Sequence, residues 1–353
     1  MTHLRAQTPE TLAALWPDLR LSPLQARRIV SRLLGNDQEE LGDVPGLSPR
    51  VAATLLERGR RDRLAVVDRR SSRLDPFVKY LFRAPDGAVF ETVRIPLEAP
   101  RWSVCVSSQV GCAMACGFCE TGRLGLQRNL ETWEIVEQVL TVRREGPERP
   151  VTGVVFQGQG EPFQNYDNVL RAAAVLRDPC SVRVGGDRIT ISTVGVLPMI
   201  ERFIEEGHPY RLMLSLTSAF DEKRQRLVPL GKRHSVAELA AAMRKHASRR
   251  GGGLVNLAWP LMAGVNTQPE EAREIARLFA GVRVRVSVID INDPTGEFTR
   301  AGDDERRVFL SALSDNGLGF VRRYSGGSDI HASCGMLASS AQGGRDADSG
   351  QQP

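Results

Sequence analysis

The strongest constraint on the fold is a regular alternation of strand and helix patterns between residues 151 and 323. Short runs rich in Val, Ile and Leu alternate with longer segments in which apolar residues recur at helical spacing. The predicted strands are 151–156, 188–192, 211–216, 254–261, 284–289 and 320–323, and the predicted helices between them are 169–176, 199–206, 236–247, 270–279 and 305–315. Such units predict an α/β fold with a parallel sheet, open or curled into a partial barrel, whose chemistry gathers at the carboxyl ends of the strands.

The first 75 residues show a helical and basic pattern. One predicted helix begins at Pro23 behind the N-cap Ser22, and a second begins at Pro49 behind Ser48. Arginine is frequent after them, at positions 58, 60, 61, 63, 69, 70 and 73. We interpret 1–75 as a helical RNA-binding accessory domain, with a plain helical cap on the main domain as the alternative. The net charge of +5 allows a nucleic-acid partner without requiring one, since a GC-rich genome also favours arginine.

The remaining segments complete the predicted organisation. Alternating residues around a turn at 85–87 predict a β-hairpin extension over 76–97, with strands 78–83 and 89–95. Residues 98–337 are the predicted core, and 338–353 are a predicted disordered tail. The chain is 41% hydrophobic and 25% charged, which excludes disorder over most of its length. We expect a cytoplasmic protein without a membrane segment, because the sequence shows no long apolar run and no signal-peptide core.

Three closely spaced cysteines carry the clearest chemical signal. They form the motif Cys112-x3-Cys116-x2-Cys119, in which Phe118 precedes the last thiol. Three thiolates on one loop can hold three irons of a [4Fe-4S] cluster and leave the fourth iron open to the amino and carboxylate groups of S-adenosylmethionine. The alternative is a zinc site completed by Cys105 or a histidine. Structural zinc sites usually use two paired cysteine knuckles, and a second knuckle does not occur here.

Polar residues follow several predicted strands. Residues 158–162, Gly-Gln-Gly-Glu-Pro, follow the strand 151–156; glycine lets the backbone approach a ligand, and Glu161 offers a carboxylate to an ammonium group. Later strands end at or are followed by further polar residues, namely Ser192, Ser215, Thr217 and Asn292. Each alone fits a cap or a turn equally well. Together, at the carboxyl ends of a barrel, they indicate a ligand site.

Around the cysteine motif the sequence resembles the RlmN/Cfr family of radical S-adenosylmethionine RNA methyltransferases, which methylate an adenine ring carbon. The similarity begins at residues 103–112, SVCVSSQVGC, and ends at 329–335, DIHASCG. Between them lie further similar segments, at 125–130, 158–162, 165–169, 215–216, 227–229 and 264–266. The resemblance covers about residues 77–337, and the N-terminal helices resemble the family's RNA-binding extension. It implies a partial (βα)6 TIM-like barrel with a small N-terminal helical domain and a β-hairpin extension.

The resemblance also implies a role for individual residues. The cluster ligands would be Cys112, Cys116 and Cys119, and the residues contacting S-adenosylmethionine would be Gly160, Glu161, Ser192, Ser215, Leu216, Thr217 and Asn292. Cys334 would carry the methyl group as S-methylcysteine, Cys105 would resolve the RNA adduct through a transient disulfide with Cys334, and Glu91 would accept the ring proton. The implied substrate is 23S rRNA, tRNA or both, and the implied electron donor is external and flavodoxin-like. We expect a monomer.

Four residues depart from the family pattern, namely Glu120, Thr217, Ala258 and Met336. They leave the cysteine motif and the thiol pair intact, so they bear on the target nucleotide and the ring position. Two other functions remain as alternatives: a radical enzyme acting on a small molecule or peptide, and a non-enzymatic RNA-binding protein that contains a metal.

Overall fold

The computed structural model describes residues 2–98, 100–249, 253–293 and 295–338. The strands are β1 Ala65–Ser71, β2 Val78–Arg83, β3 Val89–Pro96, β4 Trp102–Val106, β5 Gln109–Cys112, β6 Gly125–Asn129, β7 Val151–Phe156, β8 Ile189–Thr193, β9 Arg211–Ser215, β10 Leu254–Leu261, β11 Arg283–Asp290 and β12 Gly319–Arg323. The helices are α1 Pro9–Leu15, α2 Pro23–Val30, α3 Pro49–Arg58, α4 Glu120–Arg123, α5 Thr132–Glu145, α6 Tyr166–Arg177, α7 Leu197–Glu206, α8 Asp221–Leu227, α9 Val236–Arg249, α10 Pro269–Leu278 and α11 Asp303–Asp315.

One ten-stranded sheet organises this part of the chain, in the order β1-β2-β3-β4-β7-β8-β9-β10-β11-β12. Strands β4 and β7 to β12 run parallel, and β1 to β4 pair antiparallel. Strands β5 and β6 form a separate two-stranded ribbon. The predicted α/β fold is confirmed, and the strands and helices predicted between residues 151 and 323 are present with ends shifted by a few residues. Helix α5, between β6 and β7, was not predicted.

The register of β3, β4 and β7 explains which side chains face the barrel interior. Cys105 in β4 pairs with Val93 in β3 and with Val155 in β7, so all three side chains point to the same face of the sheet. They pack with residues of the C-terminal segment, including Leu337. Glu91 lies two residues before Val93 and therefore shares this face. The hairpin thus contributes side chains to the face of the sheet that the C-terminal segment covers.

The N-terminal segment contains both predicted helices and one unpredicted strand. The hydroxyls of Ser22 and Ser48 accept hydrogen bonds from the backbone at the starts of α2 and α3, which confirms both predicted N-caps. Residues 65–71, however, form β1, so the helical pattern predicted across 1–75 is wrong for this stretch. The reason is that β1 is an edge strand held by backbone pairing to β2, and its mostly exposed side chains carry no apolar alternation. The predicted domain boundaries remain predictions, and residues 339–353 of the predicted tail lie outside the described residues.

A buried charge cluster attaches the N-terminus to α5. The Arg5 side chain is fully buried, and its Nη1 lies 2.7 Å from Asp37 Oδ1 and 2.9 Å from Glu137 Oε2. His3 stacks on Trp133, with ring centroids 4.4 Å apart. These contacts bury the polar residues of α5, which a sequence pattern assigns to a solvent face. Within the described residues, no helix is both long and apolar enough to cross a lipid bilayer.

Candidate active site

A cavity of about 140 Å³ opens at the carboxyl ends of the parallel strands, where the fold predicts the site. Its lining combines apolar residues, among them Phe118 and Phe156, with the thiols of the cysteine motif. The predicted site residues on its lining are Cys112, Cys116, Cys119, Gly160, Glu161, Ser192, Ser215 and Cys334. Residues that are far apart in the sequence therefore meet at one place.

The three cysteines are positioned by a turn that follows β5. Cys112 is the last residue of β5, the backbone N–H of Cys119 donates to the Cys116 carbonyl at 3.1 Å, and that of Gly117 donates to the Leu227 carbonyl at 3.1 Å. Burial raises the pKa of Cys112 to about 11 and that of Cys116 well above its usual value, and the nearby thiols add to both shifts. The thiols therefore need a bound cation to hold them as thiolates. Among the described residues, no three His, Cys, Asp or Glu side chains converge as ligands of a single metal ion.

The turn after β7 brings the backbone close to the cavity. Gly160 has φ of +97°, and a Cβ added there would lie 2.5 Å from the Gln109 Cβ, so only glycine fits. The next residue, Glu161, is 2% exposed, and its carboxylate accepts hydrogen bonds from the backbone N–H groups of Phe163 and Val194, both at 2.9 Å. Burial raises the pKa of Glu161 to about 7, against the opposing effect of these hydrogen bonds. The carboxylate is held in a fixed orientation at the cavity wall.

Other predicted residues lie on or near the neighbouring strand ends. Ser192 in β8 and Ser215 in β9 line the cavity, whereas Leu216 and Thr217 are buried and lie outside its lining. Thr217 has φ of +69°, and its hydroxyl is without a hydrogen-bond partner among the described residues. Asn292 lines a different cavity. All the predicted contacts with S-adenosylmethionine, including those of the residues that line the first cavity, remain predictions.

The Cys105 and Cys334 side chains line a second, larger cavity of about 630 Å³. Cys334 and Cys119 line both cavities, so the second opens directly beside the first. Cys105 is buried and Cys334 is exposed, and both are free thiols. Burial raises the pKa of Cys105 to about 12, the neighbouring Cys334 adds to the shift, and Arg323 opposes it. The two sulfurs predicted to work together thus share one space, while their disulfide remains a prediction.

The segment carrying Cys334 is tied to the rest of the site. The backbone N–H of Cys334 donates to the Ser325 hydroxyl at 3.0 Å, and Asn292 Nδ2 donates to the same hydroxyl at 3.3 Å. On its other side, the Glu120 backbone N–H donates to the Gly335 carbonyl at 2.8 Å. These bonds connect the Cys334 segment both to the end of the cysteine motif and to the loop after β11.

Glu91 is fully buried in β3 and pairs with a lysine that the sequence analysis missed. Lys79 Nζ lies 2.9 Å from Glu91 Oε1 and donates to the His331 carbonyl at 3.3 Å. Burial raises the pKa of Glu91, whereas Lys79 and the Ala338 backbone lower it. Glu91 lies outside the lining of both cavities. Lys79 pairs with Val93, two residues from Glu91, so the alternation of side chains along the two predicted hairpin strands is the signal that could have identified the pair.

Comparison with known proteins agrees with this geometry. Residues 106–279 match the family model of the radical SAM superfamily. A probable RNA methyltransferase of Myxococcus xanthus is 42% identical over 97% of this chain and 96% of its own length. A probable dual-specificity RNA methyltransferase RlmN of Heliobacterium modesticaldum is 37% identical over 98% of this chain and 92% of its own. The chain belongs to the RlmN/Cfr family of radical S-adenosylmethionine RNA methyltransferases.

A solved structure supports the same family membership. The crystal structure of a radical SAM methyltransferase from Sphaerobacter thermophilus superimposes with a TM-score of 0.87 at 34% identity, and the match covers 96% of this chain and 100% of that one. The family uses a [4Fe-4S] cluster together with S-adenosylmethionine. The residues present fit both groups, because three thiols and a glycine turn with a fixed carboxylate line the same cavity.

Proposed function

We propose that this radical SAM methyltransferase methylates an adenine ring carbon, C2 or C8, in 23S rRNA, tRNA or both. The observation that carries the proposal is that Cys105 and Cys334 share a cavity that opens beside the three-cysteine motif. Ring carbons of adenine are sp² centres and poor nucleophiles, so direct displacement on a sulfonium methyl group is not available to them. A thiol that carries the methyl group, next to a source of radicals, provides another route.

Cys112, Cys116 and Cys119 are the proposed ligands of the cluster. When bound, the cluster supplies the electron that cleaves S-adenosylmethionine and so initiates radical chemistry. In this proposal Glu161 binds the amino group of S-adenosylmethionine and Gly160 lets the ligand approach the backbone, and both residues line the first cavity. Further proposed contacts come from Ser192, Ser215, Leu216, Thr217 and Asn292.

In this proposal Cys334 and Cys105 have different roles. Cys334 is exposed to the cavity, so its thiolate can take the methyl group from a sulfonium by displacement. The transferred carbon loses one hydrogen atom to the radical before it is joined to the ring. The Cys105 thiolate then attacks the Cys334 sulfur: an S–S bond forms, and the sulfur–carbon bond breaks with its electron pair on carbon, which takes up a proton to become the methyl group. An external thiol reductant returns the disulfide to two thiols. The raised pKa of Cys105 keeps it a thiol until that step, and Arg323 favours its thiolate form.

Glu91 is the proposed acceptor of the ring proton. Because burial raises its pKa, its carboxylate is a stronger base than an exposed one. Leu337 lines the larger cavity, and the backbone of the next residue, Ala338, lies against Glu91. The proposal therefore requires the backbone at Ala338 to move before Glu91 can contact a nucleobase in this cavity. The relatives named RNA methyltransferases support an RNA substrate. The arginines at 58, 60, 63, 69 and 70 pair with acidic residues of the chain itself and add nothing to that argument. We further propose a flavodoxin-like electron donor and a cytoplasmic monomer.

Two experiments test the proposal. Mass spectrometry of ribosomal and transfer RNA, with and without the gene, should show 2-methyladenosine or 8-methyladenosine only when the gene is present. Unchanged RNA would refute the substrate assignment and favour a small-molecule or peptide substrate. The Cys105→Ala variant should accumulate a covalent RNA adduct through Cys334, visible as a shifted band on a denaturing gel. Cys180→Ala is the matched control, since Cys180 lies outside both cavities and should give no adduct.

A further inference from the structure

A buried arginine that forms no ion pair with a carboxylate of the described residues lies in the helix that packs against the cysteine motif. Arg224 in α8 is 1% exposed, and its Nη2 donates to the Val194 carbonyl. Its Nε and Nη1 are without hydrogen-bond partners among the described residues. A buried cation in this state is costly, because burial removes it from bulk water and no carboxylate of the described residues forms an ion pair with it. Packing alone does not account for a buried guanidinium with two unpaired donors.

The surroundings of Arg224 are shaped to hold it. A Cβ added at Gly195 would lie 3.2 Å from Arg224 Nη2, and one at Gly231 would lie 3.0 Å from Nη1. Glycine on both sides therefore leaves room for the guanidinium. Leu227, one turn later in the same helix, packs in one cluster with Cys116 and accepts the hydrogen bond from the Gly117 backbone. The helix that carries the charge is thus in direct contact with the cysteine motif.

Among the described residues, two acidic groups act on the charge of Arg224, namely the Cys116 thiol and the carboxylate of Asp221 at the exposed start of α8. Burial lowers the pKa of Arg224, and these two groups oppose that shift. A guanidinium nevertheless keeps its proton in proteins. Arg224 is therefore a permanent positive charge in the interior of the fold, next to the cysteine motif.

We propose that Arg224 compensates the negative charge of the cluster held by Cys112, Cys116 and Cys119 and so raises its reduction potential. This inference rests on the cluster ligands proposed above. Three thiolates make such a centre anionic, and reduction adds one more negative charge. A nearby buried cation stabilises the reduced form more than the oxidised form, because the attraction grows with the charge on the cluster. The result is a cluster that accepts its electron more readily.

Arg224 acts on the cavity wall as well. The peptide around Val194 connects the two sides, since its N–H donates to Glu161 and its carbonyl accepts from Arg224. We therefore class Arg224 as a positioning residue that acts through charge and through Val194. A purely structural role predicts loss of folding or of iron on substitution, but it predicts no shift of the potential in variants that keep both.

The test is a potentiometric titration of the reconstituted holoenzyme, followed by electron paramagnetic resonance at low ionic strength. In Arg224→Gln, we expect the ratio of reduced to oxidised cluster at a fixed potential to fall about tenfold, which corresponds to about 59 mV for one electron. Arg224→Lys keeps the charge and should stay within about twofold of the wild type. The matched control is Arg226→Gln in the same helix, whose side chain is 74% exposed and pairs with Glu222, and it should also stay within about twofold.

A second variant keeps the test decisive if Arg224→Gln loses its iron. Asp221→Asn removes the anion that opposes Arg224 and should raise the proportion of reduced cluster. An unchanged or lowered proportion in Asp221→Asn overturns the inference, as does an unshifted Arg224→Gln or an Arg224→Lys shifted as far as Arg224→Gln is expected to be. If instead the wild-type protein binds no cluster, or keeps it after Cys112→Ala, the proposed ligands fail rather than the role of Arg224.

Discussion

The buried pair of Lys79 and Glu91 allows a quantitative prediction. Their charged atoms lie 2.9 Å apart, and their side chains are 5% and 0% exposed. Substituting Lys79 by Met leaves a carboxylate without a counter-ion in the interior of the fold. Breaking a buried ion pair by removing one partner costs about 3–5 kcal/mol. We expect Lys79→Met to lower the free energy of unfolding by this amount at pH 8.

The loss should depend on pH with a definite sign. The pKa of Glu91 in the folded state already lies above its usual value of 4.5, because burial outweighs the help from Lys79. Without Lys79 this pKa rises further, so the folded state binds a proton that the unfolded state releases. The penalty is therefore absent below about pH 4.5 and grows as the pH rises through the folded-state pKa. At pH 5 we expect a loss of about 1–2 kcal/mol, from the missing hydrogen bond to His331.

Urea unfolding of wild type and variant, followed by circular dichroism at both pH values, measures this difference. Comparing the two proteins at the same pH cancels the titration of every other group. The double variant Lys79→Met/Glu91→Gln removes both charges and should recover most of the loss at pH 8. An equal loss at pH 5 and pH 8, or no loss at all, would refute the argument. The single variant should also shift the pH optimum of methylation upward, because a protonated Glu91 cannot accept the ring proton.

Two further predictions use matched controls. Gly160→Ala should weaken S-adenosylmethionine binding at least about tenfold, because the added methyl group collides with Gln109, and calorimetry measures this change. Gly87→Ala is the control: Gly87 has φ of +88° but open space around it, so S-adenosylmethionine binding should be unchanged. Arg5→Met should lower the free energy of unfolding by about 2–3 kcal/mol, because it removes the fully buried partner of Asp37 and Glu137 and leaves them the more exposed Arg63 and Arg144. Arg58→Met breaks an exposed pair and should cost less than about 1 kcal/mol. Similar losses in Arg5→Met and Arg58→Met would show that burial does not control the strength of these pairs.

Sequence patterns predicted best those strands and helices whose residues are apolar throughout or alternate regularly between core and solvent. Strands β7 and β10 begin and end where the patterns predicted them, because each is a run of apolar residues between helices. Helix α5 was missed because its buried residues include Glu134, Glu137 and Gln138, whose partners come from other segments. Helix α5 therefore buries polar residues in addition to its apolar stripe. In a helix that is buried on more than one side, the spacing of apolar residues is a weak signal.

At the candidate active site, sequence patterns predicted which residue types carry the chemistry, but they did not predict which residues contact one another. The cysteine motif and Glu161 were predicted from spacing and from their place after a strand, and they line one cavity. Arg224 was not predicted, because an arginine in an exposed-looking helix gives no signal of burial. Its environment depends on the glycines at 195 and 231, which approach it only in the folded chain.

By itself, the sequence determined the order of strands and helices, the parallel sheet that follows from it, and the three thiols of one loop, since all of these are local in the chain. Only the tertiary structure decided that Cys105 and Cys334, more than two hundred residues apart, line the same cavity. The same holds for Lys79 beside Glu91 and for Arg224 behind Cys116. The physical reason is that burial and electrostatic coupling depend on distance in space, which local periodicity does not contain.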